Sequence, residues 1–153
     1  MKITICGSLK FFNRMVAIQE LLERMGHEVF MPIEVPGLDY WSEDGSIRVK
    51  AKRAHDLIGE HFRKIEKSDA VLVVNMTKGE IENYIGANTF LELGFAYYLG
   101  KRVYLLNPIP DQPYILSAYP NNLLYWRHEQ TRRRTTTASA HAEQPHHDRV
   151  SDL

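Results

Sequence analysis

The chain has 153 residues, which one domain accounts for, because single cores usually hold roughly 100–200 residues. Hydrophobic residues make up 44% and charged residues 25%, as in globular rather than disordered or fibrous proteins. Nineteen basic residues balance nineteen acidic ones, so no overall field recruits nucleic acid or an anionic membrane. We therefore expect no nucleic-acid partner.

Cysteine content and the amino terminus indicate the compartment. Cys6 is the only cysteine, so an internal disulfide is excluded, and with no second thiol we take a thiolate zinc site to be excluded as well. We expect no metal. No apolar run approaches the roughly 18 residues of a membrane helix, and no signal-peptide pattern precedes the first apolar segment. These features predict a cytoplasmic protein with no membrane partner.

Short apolar runs alternate with segments of helical period. Strands are predicted at 2–6, 28–32, 70–74 and 102–106, and 123–126 is left open as a fifth. Apolar residues spaced three and four apart predict helices from Phe12 to Met25, from Ile47 through Ala51 and Ala54 to Ile65, and from about Gly86 to Leu99. Each parallel return needs a crossover, so this order predicts a small doubly wound α/β domain, Rossmann-like or flavodoxin-like. We expect four to five parallel strands with helices on both faces.

Composition changes after Trp126. Residues 127–153 contain consecutive threonines and arginines and few large apolar side chains, too few to offset the entropy lost on ordering. We predict a folded domain over 1–126 and a disordered polar tail over 127–153. The tail contains His146 and His147, to which we assign no chemistry.

In a parallel sheet of this kind, ligands bind beyond the carboxyl ends of the strands. Gly7 and Ser8 form the turn after the first strand, where backbone N–H groups and a hydroxyl can face a phosphate or sugar oxygen. A tight turn with no ligand explains the same residues. The chain contains no GxGxxG and no Walker motif, so binding of a dinucleotide or a nucleoside triphosphate is not supported.

Glu92 is the most informative carboxylate. It is placed on the first turn of the third predicted helix, whose start faces the same edge of the sheet. Apolar neighbours could hold it as a fixed nucleophile or base. The spacing from Thr89 to Glu92 also matches a capping box, in which the glutamate only satisfies a backbone N–H. Both interpretations remain open on spacing alone.

Several segments together resemble a known family. They are the strand leading to Gly7-Ser8, then Ser68-Asp69-Ala70-Val71, then Asn88-Thr89 with Glu92-Leu93-Gly94 and Ala96, and then Gly100-Lys101. Over about residues 1–126 this pattern resembles the nucleoside 2-deoxyribosyltransferases and the related deoxynucleoside 5′-monophosphate N-glycosidases. The resemblance implies that Glu92 attacks the anomeric carbon of the sugar, that no cofactor is required, and that subunits of a homo-oligomer share the site.

The same resemblance implies further substrate contacts. Ser117 matches a serine that binds the 5′-phosphate in a neighbouring subunit's site, and the Gly7-Ser8 turn matches the first phosphate-contacting turn. Asn88 and Thr89 are assigned to substrate binding with them. Two positions depart from the family pattern: Gly86 stands where an acid or serine usually holds the sugar hydroxyl, and His61 stands where the family has an aspartate.

His61 has two interpretations. Spaced one turn from Ile58 and from Ile65, it could pack at the edge of the core, or it could replace the missing aspartate. In the second case it would act as a general acid to the departing base, or as the hydrogen-bond partner that holds Glu92. We assign it to catalysis with Glu92.

Aromatic and basic side chains surround the predicted loops. Tyr40 is assigned to substrate binding, since flat rings could stack on a nucleobase, with the rings of Trp41, Tyr84 and Tyr114 also in or beside these loops. Core lids are the alternative. A cluster comprising Arg48, Lys50, Lys52 and Arg53 is interpreted as a solvated helix face or, alternatively, a phosphate-facing patch.

The sequence therefore predicts cleavage or base exchange at the N-glycosidic bond of a (deoxy)nucleoside or its 5′-monophosphate, through a covalent glycosyl-glutamate. The partner is a small-molecule nucleoside or nucleotide. The alternative is a non-catalytic module of the same fold that binds or senses a nucleotide, which Gly86 and His61 would favour.

Overall fold

The computed structural model describes residues 1–40, 46, 56–118 and 124–125; for 116–118 and 124–125 it describes the backbone alone. The strands are β1 (Lys2–Gly7), β2 (Glu28–Phe30), β3 (Ala70–Val74), β4 (Arg102–Leu105) and β5 (Leu124–Tyr125). The helices are α1 (Phe12–Arg24), α2 (Leu57–Glu66), α3 (Ala87–Tyr98) and α4 (Pro113–Ala118), with a 3-10 turn at Leu9–Phe11.

The described strands form one sheet in the order β2-β1-β3-β4-β5, and every pairing is parallel. This confirms the predicted doubly wound α/β fold, in its flavodoxin-like order, and 124–125 does add a fifth strand. The chain first moves outward from β1 to β2 and then crosses back to β3. The direction of winding therefore reverses between β1 and β3, which is where ligands bind in such sheets.

Strand residues alternate between two cores. Ile3 and Ile5 of β1 pack with Leu72 and Val74 of β3 against the buried face of α1. Cys6 points to the opposite face, where it joins a second cluster that includes residues of α2 and α3. Helices thus cover both faces of the sheet, and β3 and the middle of β1 are buried on both sides as a result.

Two helices end at glycines, as the sequence predicts. Gly26 follows α1 with φ +81°, and Gly100 follows α3 with φ +65°, a left-handed conformation that costs glycine little. The strand β2 is shorter than predicted, because the chain leaves the sheet after Phe30. The short helix α4 was not predicted; it begins at Pro113, whose fixed φ suits a first helical position.

An asparagine pair joins the segments beyond β3 and β4. The Asn75 amide donates to the carbonyls of Asn107 and Pro108, both at 3.0 Å. In return, the backbone N–H of Asn107 donates to the Asn75 side-chain oxygen at 2.9 Å, and the Asn107 amide donates to the Asn75 carbonyl at 2.8 Å. We call this group the asparagine clamp.

Several predictions fall outside the described residues: the helix residues Ile47, Ala51 and Ala54, the ring of Trp41, the basic cluster, and the tail 127–153. Of the helices within the described ranges, none is long and apolar enough to cross a membrane.

Candidate active site

A cleft opens at the carboxyl ends of β1 and β2, beneath α2 and α3. It encloses a cavity of about 150 Å³ and opens to solvent at its mouth. Its lining residues are Gly7, Ser8, Leu9, Lys10, Pro32, Ile33, Tyr40, Leu57, Ile58, His61, Asn88 and Glu92.

The Gly7-Ser8 turn forms the floor on the β1 side. A Cβ on Gly7 would lie 3.1 Å from the Val74 carbonyl oxygen and 2.7 Å from the end of the Met15 side chain, so this close approach requires glycine. Ser8 caps the 3-10 turn: its hydroxyl accepts from the Lys10 N–H at 3.4 Å, and its carbonyl accepts from the Phe11 N–H at 2.8 Å. The turn is thereby held against the cleft.

Glu92 reaches the cleft from α3. A capping box would require Thr89 as the N-cap of this helix, but the N-cap is Gly86, three residues earlier. The capping interpretation of Thr89 and Glu92 is therefore wrong. Glu92 lies on the second turn rather than the first. Its side chain is 14% exposed and lines the cleft with the Gly7-Ser8 turn, where a bound molecule could touch it.

Two further polar side chains surround the Glu92 carboxylate. His61 Nε2 lies 3.8 Å from Glu92 Oε1 and 3.6 Å from Cys6 Sγ. One ligand atom from each of the three residues falls within 4.8 Å of the others. We call Cys6, His61 and Glu92 the acid cluster. The core-edge interpretation of His61 is correct as to burial, since only 4% of its side chain is exposed, yet the residue also lines the cleft.

Burial sets the charge state of this cluster. It lowers the pKa of His61 from 6.5 to about 4; Lys64 adds to the lowering, while the Ile5 backbone and Glu60 oppose it. The imidazole is therefore neutral at pH 7, and its contact with Glu92 is not an ion pair. Burial likewise raises the pKa of the Cys6 thiol well above 9.0, and the Glu92 carboxylate adds to that rise, so the thiol keeps its proton.

The wall formed by α2 is apolar. Ile58, which is 38% exposed, faces the cleft beside Leu57 instead of packing in the core. One turn further along, Phe62 stacks on Phe95 of α3 with ring centroids 4.4 Å apart and planes 10° from parallel. This stack joins the helix that carries His61 to the helix that carries Glu92.

The predicted substrate-binding residues are only partly brought together. Gly7, Ser8, Tyr40 and Asn88 line the cleft with Glu92, and the Tyr40 hydroxyl accepts from the Val35 N–H at 2.8 Å. Thr89 is instead buried and lines a neighbouring pocket. Gly7, Ser8 and Asn88 line both this pocket and the cleft.

Other predicted residues lie elsewhere. Ser117 is on α4, and its side chain is outside the described residues. Tyr84 lines the neighbouring pocket. The Lys78 ammonium lies over its ring, 4.4 Å from the ring centroid. The Tyr114 hydroxyl donates to the Ile85 carbonyl at 2.7 Å, so this ring serves the protein's own packing.

Sequence reasoning missed Lys10, which lines the cleft, and Cys6, which is buried within hydrogen-bond distance of His61. Lys10 supplies a cation beside the Gly7-Ser8 turn, and its position two residues after the serine was the available signal. Cys6 was interpreted only as a buried strand residue. Alternation along β1 could have placed it on the face opposite Ile5, at the carboxyl end of the strand, where α2 and α3 cover the sheet.

No protein-family model matches this sequence, and no curated protein does. Solved structures of similar fold do exist. One is a 2-deoxyribosyltransferase from the psychrotolerant bacterium Bacillus psychrosaccharolyticus, with TM-score 0.56 and 20% identity over 90% of this chain and 94% of that one. Another is a CMP N-glycosidase of Clostridium botulinum, with TM-score 0.48 and 16% identity over 86% and 92% of the two chains. The deoxyribosyltransferase is of the family that the sequence motifs resemble, and its likeness to this chain shows a shared fold.

Proposed function

We propose that this protein cleaves or exchanges the N-glycosidic bond of a (deoxy)nucleoside or its 5′-monophosphate, with Glu92 as the nucleophile. The observation that carries the proposal is the position of the Glu92 carboxylate, which lines a cleft with the Gly7-Ser8 turn instead of capping its own helix. The motif resemblance and the shared fold support the same reaction class. No cofactor takes part in the proposed chemistry.

The reaction divides one difficult displacement into two. A Glu92 oxygen forms a bond to C1′ as the bond from C1′ to the base nitrogen breaks, and the base leaves with that electron pair and takes up a proton. Water or a second base then attacks C1′, loses a proton and releases the carboxylate. Both steps pass through an oxocarbenium-like transition state that the negative carboxylate stabilises.

His61 fits one of its two predicted roles better than the other. A group with a pKa of about 4 holds almost no proton to give at pH 7, so His61 is a poor general acid. As a neutral imidazole 3.8 Å from Glu92, it needs only a small shift to donate a hydrogen bond and orient the carboxylate. We therefore propose His61 as a positioning residue and Tyr40, which lines the cleft, as the proton donor to the base.

The mouth of the cleft favours a phosphorylated substrate. The Gly7-Ser8 turn and the Lys10 side chain line the same wall, and backbone N–H groups beside a lysine are a common way to bind phosphate. Asn88 of α3 also lines the cleft, and we propose that its amide binds a sugar hydroxyl.

Base release tests the function directly. The protein is incubated with deoxynucleosides, ribonucleosides and their 5′-monophosphates, with and without a free acceptor base, and product bases are separated by chromatography. We expect turnover of at least one substrate, abolished in Glu92→Gln and retained in Glu20→Gln, a matched change at an exposed carboxylate on α1. Turnover that survives in Glu92→Gln would reject the nucleophile.

The same assay addresses the sensing alternative. Gly86 offers no side chain to hold a sugar hydroxyl, and a Cβ there would lie 3.2 Å from the Tyr84 ring. Tight binding of one nucleotide, measured by calorimetry, with no turnover on the panel would favour a sensor and reject the enzyme.

The resemblance also carries a proposal about assembly: a homo-oligomer in which Ser117 contacts the 5′-phosphate in a neighbouring site. Mixing inactive Glu92→Gln subunits with Ser117→Ala subunits tests it. In a shared site, some mixed pairs recover one intact centre, so activity should exceed that of either variant alone. Additive activity would place each site within one chain.

A further inference from the structure

The acid cluster brings together three different ligand atoms for a metal ion. Cys6 contributes a sulfur, His61 a nitrogen and Glu92 an oxygen, all within 4.8 Å of one another. Zinc and its close analogues bind this set of donors, and zinc sites with three protein ligands keep a fourth position open. The lack of a second cysteine, on which the expectation of no metal rested, does not exclude a mixed site of this kind.

The spacing of the cluster fits one ion. Tetrahedral zinc with bonds of about 2.3 Å to sulfur and 2.0–2.2 Å to nitrogen and oxygen sets neighbouring ligand atoms roughly 3.4–3.6 Å apart. The measured separations are 3.6 Å from Cys6 Sγ to His61 Nε2 and 3.8 Å from His61 Nε2 to Glu92 Oε1. The third pair, Cys6 Sγ and the Glu92 carboxylate, lies within 4.8 Å, so side-chain shifts of roughly 1 Å or less would close the set around one ion.

The surroundings suit a cation of this class. His61 Nε2 faces both other ligand atoms, and the buried sulfur lies behind the carboxylate while Glu92 borders the cleft. An ion would therefore have protein on three sides and the cleft on the fourth. Binding would displace the thiol proton to solvent, leaving thiolate and carboxylate to offset the two positive charges.

We propose that Cys6, His61 and Glu92 form a binding site for a single zinc-like divalent cation, open to the cleft. An ion held there occupies the Glu92 oxygen that the proposed function directs at C1′. Zinc would then act as a reversible inhibitor. Inhibition rests on the proposed function, whereas ion binding does not.

Cadmium titration of the full-length protein tests the site. Because Cys6 is the only cysteine, any ultraviolet thiolate-to-cadmium charge-transfer band must come from it. We expect the band to saturate at one equivalent, to vanish in Cys6→Ala, and to need at least about tenfold more cadmium in Glu92→Gln, since loss of even an outer-shell partner costs ~10–100-fold in affinity. Zinc should displace cadmium and remove the band.

Matched controls distinguish binding at this site from nonspecific metal binding elsewhere on the chain. The double variant His146→Ala and His147→Ala removes the histidine pair of the tail and should leave the band unchanged. If Cys6→Ala fails to fold, as judged by circular dichroism, His61→Gln and Glu92→Gln decide the question. A band that is absent from the wild type, or that titrates in both of those variants as it does in the wild type, would overturn the proposal whatever the enzyme assay reports.

Discussion

Two buried polar groups lie along the same edge of the sheet and are built in opposite ways. In the asparagine clamp, two amides exchange hydrogen bonds of 2.8–3.0 Å with each other's backbone and with the Pro108 carbonyl. In the acid cluster, His61 Nε2 lies 3.8 Å from Glu92 Oε1, which is longer than a normal N–H···O bond, and 3.6 Å from Cys6 Sγ.

The difference contrasts a group that stabilises the fold with a group that we propose acts on a ligand. Hydrogen bonds of good length repay the cost of burying the asparagine amides, so the clamp stabilises the ends of β3 and β4. The acid cluster bears a burial cost, which displaces the pKa values of His61 and Cys6. Perturbed titratable groups beside a cleft are typical of sites that act on a ligand.

The largest expected effect is on activity at the acid cluster. Glu92→Gln should lower kcat by about 10³-fold or more, because the neutral amide is a poor nucleophile for C1′. Its free energy of unfolding, from urea titration, should stay close to that of the wild type. A large loss of stability with activity per folded molecule intact would make Glu92 structural and break the comparison.

The next effect is a pH dependence of stability caused by His61. Between pH 6.5 and about 4 the unfolded chain holds a proton on this histidine that the folded protein lacks, so the free energy of unfolding falls as the pH drops through that range. The loss reaches about 3 kcal/mol and levels off below the folded-state pKa. Urea titrations at several pH values measure it. His61→Gln should remove this component and His27→Gln should retain it; equal slopes in all three proteins would contradict the prediction.

A stability loss of slightly smaller size is expected at the asparagine clamp. Asn75→Ala leaves donors and acceptors of Asn107 without their partner and should cost about 2–3 kcal/mol of unfolding free energy. Activity per folded molecule should change little. Asn13→Ala, the same change at an exposed site on α1, should shift stability by less than about 0.5 kcal/mol. An Asn75→Ala protein as stable as Asn13→Ala would show that the clamp contributes no net stability.

The smallest effect extends the comparison to the mouth of the cleft. Lys10→Ala should raise KM for a 5′-monophosphate by about tenfold, the equivalent of one charge-assisted hydrogen bond, and leave KM for the nucleoside unchanged. Lys67→Ala, an exposed lysine after α2, serves as the control. Equal effects of Lys10→Ala on both substrates would remove the lysine from phosphate binding.

Local pattern was sufficient to predict most of the fold. The continuous apolar run of β3 and the glycines after α1 and α3 act within a few residues of where they stand, so this strand and these helix ends could be predicted. The helix α4 could not, because six residues provide too little periodicity. The position of Cys6 beside His61 and Glu92 depends on the packing of two helices over β1, and no local spacing encodes that contact.

The stack of Phe62 on Phe95 has a consequence for how such a protein can diversify. The stack joins α2 to α3 at the residue next to His61, and it therefore helps to fix the distance between His61 and Glu92. Under the proposed function, loops at the rim can then be replaced to admit a different base or sugar while His61 and Glu92 keep their spacing.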